Sequence, residues 1–433
     1  MGSYLNPGSI EFQECLNSEI YVDKTGLLIQ TNRLLRTKQK FVCISRPRRF
    51  GKSMAADMLA AYYGQGENTE ELFRGLKISE ATTFHQHLNQ YDVIKINMQE
   101  FLSTTKSVEE MLKMLSDYLI WDLKETYAAV RLRDEKNLIQ VMKDVFAYTG
   151  HPFVILIDEW DCMFREYKQN VEAQKIYLDF LRAWLKDKAY VALAYMTGIL
   201  PVKKYGSHSA LNMFTEYSMT NPREMAEYFG FTEEEVRSLC KEYKRCFEEA
   251  QAWYDGYELV TIEEEAQRVY SMYSPKSVVD AMLSGIFDNY WNQTETYEAL
   301  KIYIQMNFDG LKDSIIRMLA GDRVSINIGT FSNDMTTFQS KDDVLTLLVH
   351  LGYLSYRWTD KTVAIPNKEV AQEYINAISS LDWNKDVKGA IDQIHKRRYK
   401  DGLKEYYGNL ILAGINYDKE TKKHCCKMEK FKI

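Results

Sequence analysis

Arg46-Pro-Arg-Arg-Phe-Gly-Lys-Ser53 is the stretch that decides the fold. It follows an apolar run, Lys40–Ile44, and precedes a helical pattern, Met54–Tyr63. Strand, glycine-containing loop and helix in that order are what a phosphate-binding P-loop needs. The nucleotide is expected on Arg46, Pro47, Arg48, Arg49, Phe50, Gly51, Lys52, Ser53 and Met54, where backbone N–H groups of the loop and the helix start would cradle the β-phosphate. Lys52 would reach the β- and γ-phosphates, and the Ser53 hydroxyl would bind Mg²⁺. Gly51 lets the backbone approach the phosphate closely. The general pattern has glycine at its first position, where this chain has Arg46, so Gly-Lys-Ser alone is a weak signal. Arg48 and Arg49 either neutralise γ-phosphate charge in cis or solvate the loop.

A second element strengthens the reading. Val154-Ile-Leu-Ile-Asp158-Glu159 is an apolar strand ending in two carboxylates. Such a strand delivers Asp158 to the carboxyl edge of a parallel sheet, where a Mg²⁺ ligand sits. Glu159, one residue on, is placed to polarise the attacking water. The next strand ends Met196-Thr197-Gly198. Thr197 either contacts the γ-phosphate or the attacking water, or caps a strand end. ATP and Mg²⁺ are therefore the expected ligands, with Lys52, Glu159 and Thr197 as catalytic candidates and Ser53 and Asp158 on the metal. Lys203 and Lys204 follow that strand without an assigned role.

Outward from these motifs, short apolar runs alternate with helical patterns, the signature of a parallel α/β sheet. Expected strands are Lys40–Ile44, Val93–Asn97, Phe153–Ile157, Val191–Met196 and Phe214–Met219. Ser107 and Glu110 form a capping box opening a helix to about Tyr127. Asn170 caps a helix with Ile176, Phe180 and Trp184 on one face. After Thr220 the texture reads as helices alone: Asn221-Pro222 opens a short helix stopping at Gly230, and Thr232 with Glu235 makes a second capping box. Asp343–Leu351 followed by Gly352-Tyr353-Leu354 and Thr362–Ile365 reads as a helix and hairpin, a winged-helix-like unit. Its apolar spacing predicts burial of Leu345, Leu348, Leu351 and Leu354. A helix at Asp386–Tyr407 and strands at Leu410–Ile415 and His424–Glu429 complete the chain.

The expected architecture is an α/β P-loop core (1–220), a helical region (221–285), the winged-helix-like region (286–367) and a small α/β remnant (368–433). With 433 residues the chain is too long for one core. A net charge of −6 argues against a globally basic nucleic-acid binder. The seven scattered cysteines read as reduced thiols. His424-Cys425-Cys426 is a poor zinc motif, because adjacent cysteines on a strand face opposite ways and no second ligand pair lies nearby. No apolar run approaches the roughly 20 residues a membrane span needs, and Met1–Ile10 lacks the pattern of a signal peptide. A cytoplasmic protein is expected, with no membrane partner. A DNA or protein partner would dock on the winged-helix-like region, protein being favoured by the acidic chain. Oligomeric state is not legible in the sequence.

The chain resembles the bacterial AAA-ATPase-like family whose members usually carry a C-terminal PD-(D/E)XK nuclease-like domain. The matches are Tyr21-Val-Asp-Lys-Thr25, Arg46–Ser53, Ile157-Asp-Glu-Trp-Asp161, Thr197-Gly-Ile-Leu-Pro201, Trp253-Tyr-Asp-Gly-Tyr257, His350-Leu-Gly-Tyr-Leu354 and Gly414-Ile-Asn-Tyr-Asp418. Arginine at the first P-loop position belongs to that family's own pattern. The resemblance implies an ASCE-type P-loop core followed by helical and winged-helix-like regions. It offers Tyr21, Asp23 and Lys24 as lining for the adenine side of the pocket, against the plainer reading of a structural turn. It also exposes a departure. Where the family has a strand ending Glu-x-Lys-Trp-Asn, this chain reads Ser380-Leu381-Asp382-Trp383-Asn384. Ile365-Pro-Asn-Lys-Glu369 leads straight into a helical pattern through Ile378, leaving no room for the strand that would bear the first aspartate. Glu369 and Glu373 remain on that helix, and Gln393 and Tyr399 keep the family's spacing. The reading is an ATPase, or a nucleotide-gated binding module, whose nuclease-like domain is a truncated, inactive remnant.

Overall fold

The computed structural model describes residues 2–202, 211–263, 266–291, 297–306, 308, 310–332, 335, 338–379, 409–418 and 423–432, the last two stretches by their backbone. The chain divides into two compact units, Met1–Trp291 with Asn307–Val370, and Asn292–Met306 with Ala371–Ile433.

The first unit is built on five parallel strands: β1 (Phe41–Ser45), β2 (Asp92–Asn97), β3 (Phe153–Asp158), β4 (Val191–Gly198) and β5 (Thr215–Tyr217). Their order in the sheet is β2-β3-β4-β1-β5. β4 thus separates β1, which precedes the P-loop, from the acidic β3. This is the ASCE arrangement. Every residue of β1, β3 and β4 is buried. Strands covered on both faces read as continuous apolar runs rather than alternation, which is why the sequence marks them so clearly.

The helices covering this sheet start where their caps predict. Ser107 Oγ accepts the Glu110 N–H at the start of Val108–Thr126, while the Glu110 carboxylate reaches back to Lys106 N–H instead of Ser107. Asn170 Oδ1 accepts from Ala173 N at the head of Val171–Leu185. The buried face of that helix is Ala173, Tyr177, Leu178, Leu181, Trp184 and Leu185, with Ile176 and Phe180 only half-buried. Trp184 is therefore on the buried face as expected, while Ile176 and Phe180 sit at its edge.

Beyond Thr220 the expectation of helices alone is overturned. A three-stranded antiparallel sheet, β6 (Phe231–Thr232), β7 (Tyr257–Glu263) and β8 (Ala266–Tyr273), lies in the order β6-β8-β7. Glu263 and Ala266-Gln-Arg268 are good helix formers, and local propensity yields here to pairing between β7 and β8. The short helix before Gly230 is a 3₁₀ segment, Arg223–Tyr228, and the Thr232–Glu235 capping box is complete.

The helix Lys341–Leu351 is capped by a Ser340–Asp343 box and stopped by Gly352 at φ +88°. It leads into a hairpin of β10 (Ser355–Arg357) and β11 (Thr362–Ala364), to which β9 (Val324–Ser325) adds a third strand. Leu345, Leu348, Leu351 and Leu354 are all buried, as their spacing predicts. The helix Lys368–Ser379 follows directly. In the second unit β12 (Asn409–Asp418) and β13 (Lys423–Lys432) pair antiparallel over their full length. Ser380–Asn384, Gln393, Tyr399 and the helix expected at Asp386–Tyr407 lie outside the described residues. Among the described residues no helix is long and apolar enough to cross a membrane.

Candidate nucleotide site

β1 runs into the loop at Ser45, and the helix Lys52–Tyr63 begins immediately after Gly51. Gly51 stands at φ +83°, where side chains are disfavoured, and a Cβ there would meet nothing within 4 Å. Its role is conformational. Arg49 also has a positive φ, +66°. Lys52 is nearly buried and donates from Nζ to the carbonyls of Pro47 (2.8 Å) and Arg46 (3.1 Å), at the mouth of the loop. Burial pushes its pKa down, opposed by the charges of Glu159, Asp158 and Asp161. Arg48 and Arg49 are exposed, as are Ser53 and Met54 on the first turn of the helix.

Asp158, at the end of β3, joins the motifs. Its Oδ2 accepts from Ser53 Oγ at 2.5 Å, and its Oδ1 accepts from Thr197 Oγ1 and from Glu159 N (2.9 Å). Parallel register with β1 sets Thr197 beside Ile44, and register with β2 sets Asn97 beside Asp158. Two residues far apart in sequence, Ser53 and Thr197, are therefore tied to one carboxylate. Ser53 and Asp158 offer hard oxygen donors, a set that suits Mg²⁺, which usually takes one or two protein ligands and completes its shell with phosphate and water.

Glu159 sits at φ +52° and its carboxylate pairs with Arg165. Burial raises its pKa, and Arg165 works against that rise. Arg165 also faces Asp161 at 3.5 Å. Burial alone would lower the Arg165 pKa, but Asp161 and Glu159 together hold it above its ordinary value. Asp161 is fully buried and accepts from Ile199 N (3.0 Å) and Leu200 N (2.8 Å). A Cβ on Gly198 would lie 2.7 Å from Asp161 Oδ1 and 2.8 Å from the Trp160 ring. The motifs Ile157–Asp161 and Thr197–Pro201 are thus two halves of one structure. Neither Asp161 nor Arg165 had a role assigned from sequence. The available signal was their i,i+4 spacing, acid before base, on a short helix.

Two other motif residues face inward. The Arg46 guanidinium is fully buried and donates to the carbonyls of Ser45 (2.9 Å), Tyr217 (2.7 Å) and Met225 (3.3 Å), over the face of Phe229. Its backbone N–H donates to Gly198 O at 3.1 Å. Both groups are committed to carbonyls of the protein. The loop's first position instead staples β1 to the chain following β5. Phe50 is buried against Tyr257, and Pro47 abuts Gly352. Tyr21-Val-Asp-Lys-Thr25 forms a turn, in accord with the plainer reading. Asp23 accepts from Thr25 N (2.8 Å) and Lys77 N (2.7 Å), and Lys24 pairs with Glu235 at 2.6 Å. Glu369, retained from the nuclease-like reading, is fully buried and accepts from Tyr290 N (2.7 Å), Trp291 N (2.8 Å) and Ser277 Oγ (3.0 Å). Lys203 and Lys204 lie outside the described residues.

Sheet order and site together define a P-loop fold of the ASCE class. Residues 8–207 match the AAA-ATPase-like family model, described as "Predicted AAA-ATPase". A curated relative, "Uncharacterized protein in vnfD 5'region" of Azotobacter chroococcum mcd 1, is 23% identical over 371 residues, 84% of this chain. The match spans 65% of that protein's length. Among solved structures, the Aeropyrum pernix ORC2 protein (ADPNP-ADP complexes) aligns with 86% of this chain and 97% of its own, at 10% identity and a TM-score of 0.35. AMPPCP-bound DnaA from Aquifex aeolicus aligns with 88% of this chain and 96% of its own, at 11% identity and a TM-score of 0.26. At these scores neither bears on the reading below.

Proposed function

We propose that this protein binds ATP with Mg²⁺ on Arg46–Met54 and Asp158, hydrolyses it, and uses the cycle to drive or gate action on a macromolecular partner. The observation that carries the reading is the Asp158 carboxylate, which holds both the P-loop Ser53 hydroxyl and the β4 Thr197 hydroxyl. That arrangement supports giving Ser53 the metal, Thr197 a γ-phosphate contact and the adjacent Glu159 the role of base. Lys52 supplies the cation for the β- and γ-phosphates. Mg²⁺, when bound, neutralises phosphate charge as it develops. Glu159 orients and deprotonates the attacking water, and Thr197 positions it. The deciding experiment measures ATP hydrolysis with and without DNA, on wild type and Glu159→Gln. No turnover by the wild type under either condition would reject the enzyme reading.

A second reading, a nucleotide-gated binding module without useful turnover, is favoured by one observation. Phe50 and Pro47 of the P-loop pack directly on Tyr257 and Gly352, at the base of the winged-helix-like unit. Pro47 thus touches that unit directly, and Phe50 reaches it through Tyr257. That unit would carry the partner, protein or DNA. On either reading the chain has no nuclease activity of its own. The helix Lys368–Ser379 stands where a strand would have to bear the first metal-binding aspartate, and Glu369 is committed to backbone N–H groups.

A further inference from the structure

Arg165 is nearly buried, with 9% of its side chain exposed, and it lies between two carboxylates of the site. Nη2 donates to Glu159 Oε2, and Nε faces Asp161 Oδ1 at 3.5 Å. Asp161 is immobilised in turn by the N–H groups of Ile199 and Leu200, just past Thr197 on β4. Gly198 keeps the space for it, since a Cβ there would collide with Oδ1. We propose that Arg165 is a positioning residue: it transmits the placement of the β4 exit, through Asp161, to the carboxylate of Glu159.

The physical reason is orientational. Glu159 begins from a left-handed backbone position uncommon for a non-glycine residue. Its side chain is 24% exposed, so packing alone leaves it rotamers to choose from. Anchoring Oε2 on a buried, planar guanidinium removes that freedom. Oε1 makes no hydrogen bond among the described residues and is left to accept from a water. Thr197 and Glu159 then take their positions from the same β4 turn. Hydroxyl and carboxylate would approach one water from a common frame.

The inference rests on the ATPase reading, and its test separates the two. ATP turnover and calorimetric binding of a non-hydrolysable ATP analogue are compared for wild type, Arg165→Ala, Arg165→Lys, Glu159→Gln and the Arg165→Ala/Glu159→Gln double variant. Arg165→Ala should lower kcat by about ten- to a hundredfold, the scale of a misplaced catalytic group, with analogue affinity within about threefold of wild type. Arg165→Lys should recover part of the loss. The double variant should turn over no more slowly than Glu159→Gln, because Arg165 acts only through Glu159. An unchanged or raised kcat in Arg165→Ala overturns the proposal. So does a loss that adds fully to that of Glu159→Gln, which would mark a general structural role. If Arg165→Ala does not fold, Arg165→Lys and its double variant with Glu159→Gln decide by the same criteria. A wild type that binds the analogue without hydrolysing ATP overturns both readings. A wild type that hydrolyses ATP at the same rate as the Arg165 variants overturns this one alone.

Discussion

Phe50, inside the P-loop, meets Tyr257, at the start of β7, edge to face with ring centroids 5.4 Å apart. The Tyr257 hydroxyl continues the contact by donating to Gly352 O at 2.7 Å, and Gly230 N–H donates to Phe50 O at 3.2 Å. The phosphate loop is thereby built into the helix-and-hairpin unit beyond it. Phe50→Ala should destabilise the protein by about 3 kcal/mol through the cavity it opens, and should also weaken ATP binding. Tyr257→Phe keeps the ring and loses one hydrogen bond, about 1 kcal/mol. Thermal unfolding with parallel calorimetric titration checks both. Wild-type ATP affinity in a folded Phe50→Ala variant would show that the loop does not depend on this support.

Lys52→Ala should reduce ATP affinity at least about tenfold, the equivalent of losing one charge-assisted contact of roughly 1.5–3 kcal/mol. Removing a cation whose pKa burial already depresses should leave the fold intact. Titration calorimetry with ATP–Mg²⁺ reads the affinity, and an undiminished value would contradict the assignment.

Asp158→Asn and Glu159→Gln should separate. The first disturbs the carboxylate shared by Ser53 and Thr197 and should weaken Mg²⁺-dependent binding. The second should spare binding and slow hydrolysis by roughly a hundredfold or more, the usual worth of a general base. Thr197→Ala should resemble the second more than the first. Binding assays with and without Mg²⁺, paired with turnover, distinguish these patterns. Wild-type turnover in both carboxylate variants would overturn the roles given to the pair.

Gly198→Ala should be disproportionately harmful for a one-carbon change. The added methyl meets Asp161 and Trp160 at 2.7–2.8 Å, and overpacking of that kind destabilises by about 1–3 kcal/mol. Denaturant unfolding gives the number. A neutral result would mean that the β4 exit relaxes more easily than its hydrogen bonds to Asp161 suggest.

Purified protein should cleave neither plasmid nor oligonucleotide with Mg²⁺ or Mn²⁺. Glu369→Ala should instead lower the melting temperature, since it strands the N–H groups of Tyr290 and Trp291, which now share one carboxylate oxygen. Cleavage abolished by alanine at Asp382, Glu369 and Glu373 would reveal a working metal site.

Sequence alone determined the P-loop, the acidic strand and the strands of the parallel sheet. Each is written locally: a buried strand is an unbroken apolar run, a cap is one side chain within three residues of its partner, and the Lys341–Leu351 helix shows its apolar face in its own spacing. The motifs that make Lys52, Ser53, Asp158, Glu159 and Thr197 candidates are written locally for the same reason. Tertiary structure alone decided the rest. Helix-forming residues at Glu263 and Ala266–Arg268 lie in strands because β7 and β8 pair with each other. Arg46, an expected phosphate contact, turned inward because carbonyls at Tyr217 and Met225, far along the chain, converge on its guanidinium. Asp161 and Arg165 acquired a place in the site only when β4 slid between β1 and β3 and brought Ile199 and Leu200 to Asp161. Propensity and periodicity act over a few residues, whereas a buried polar group takes whichever partner the folded chain delivers to it.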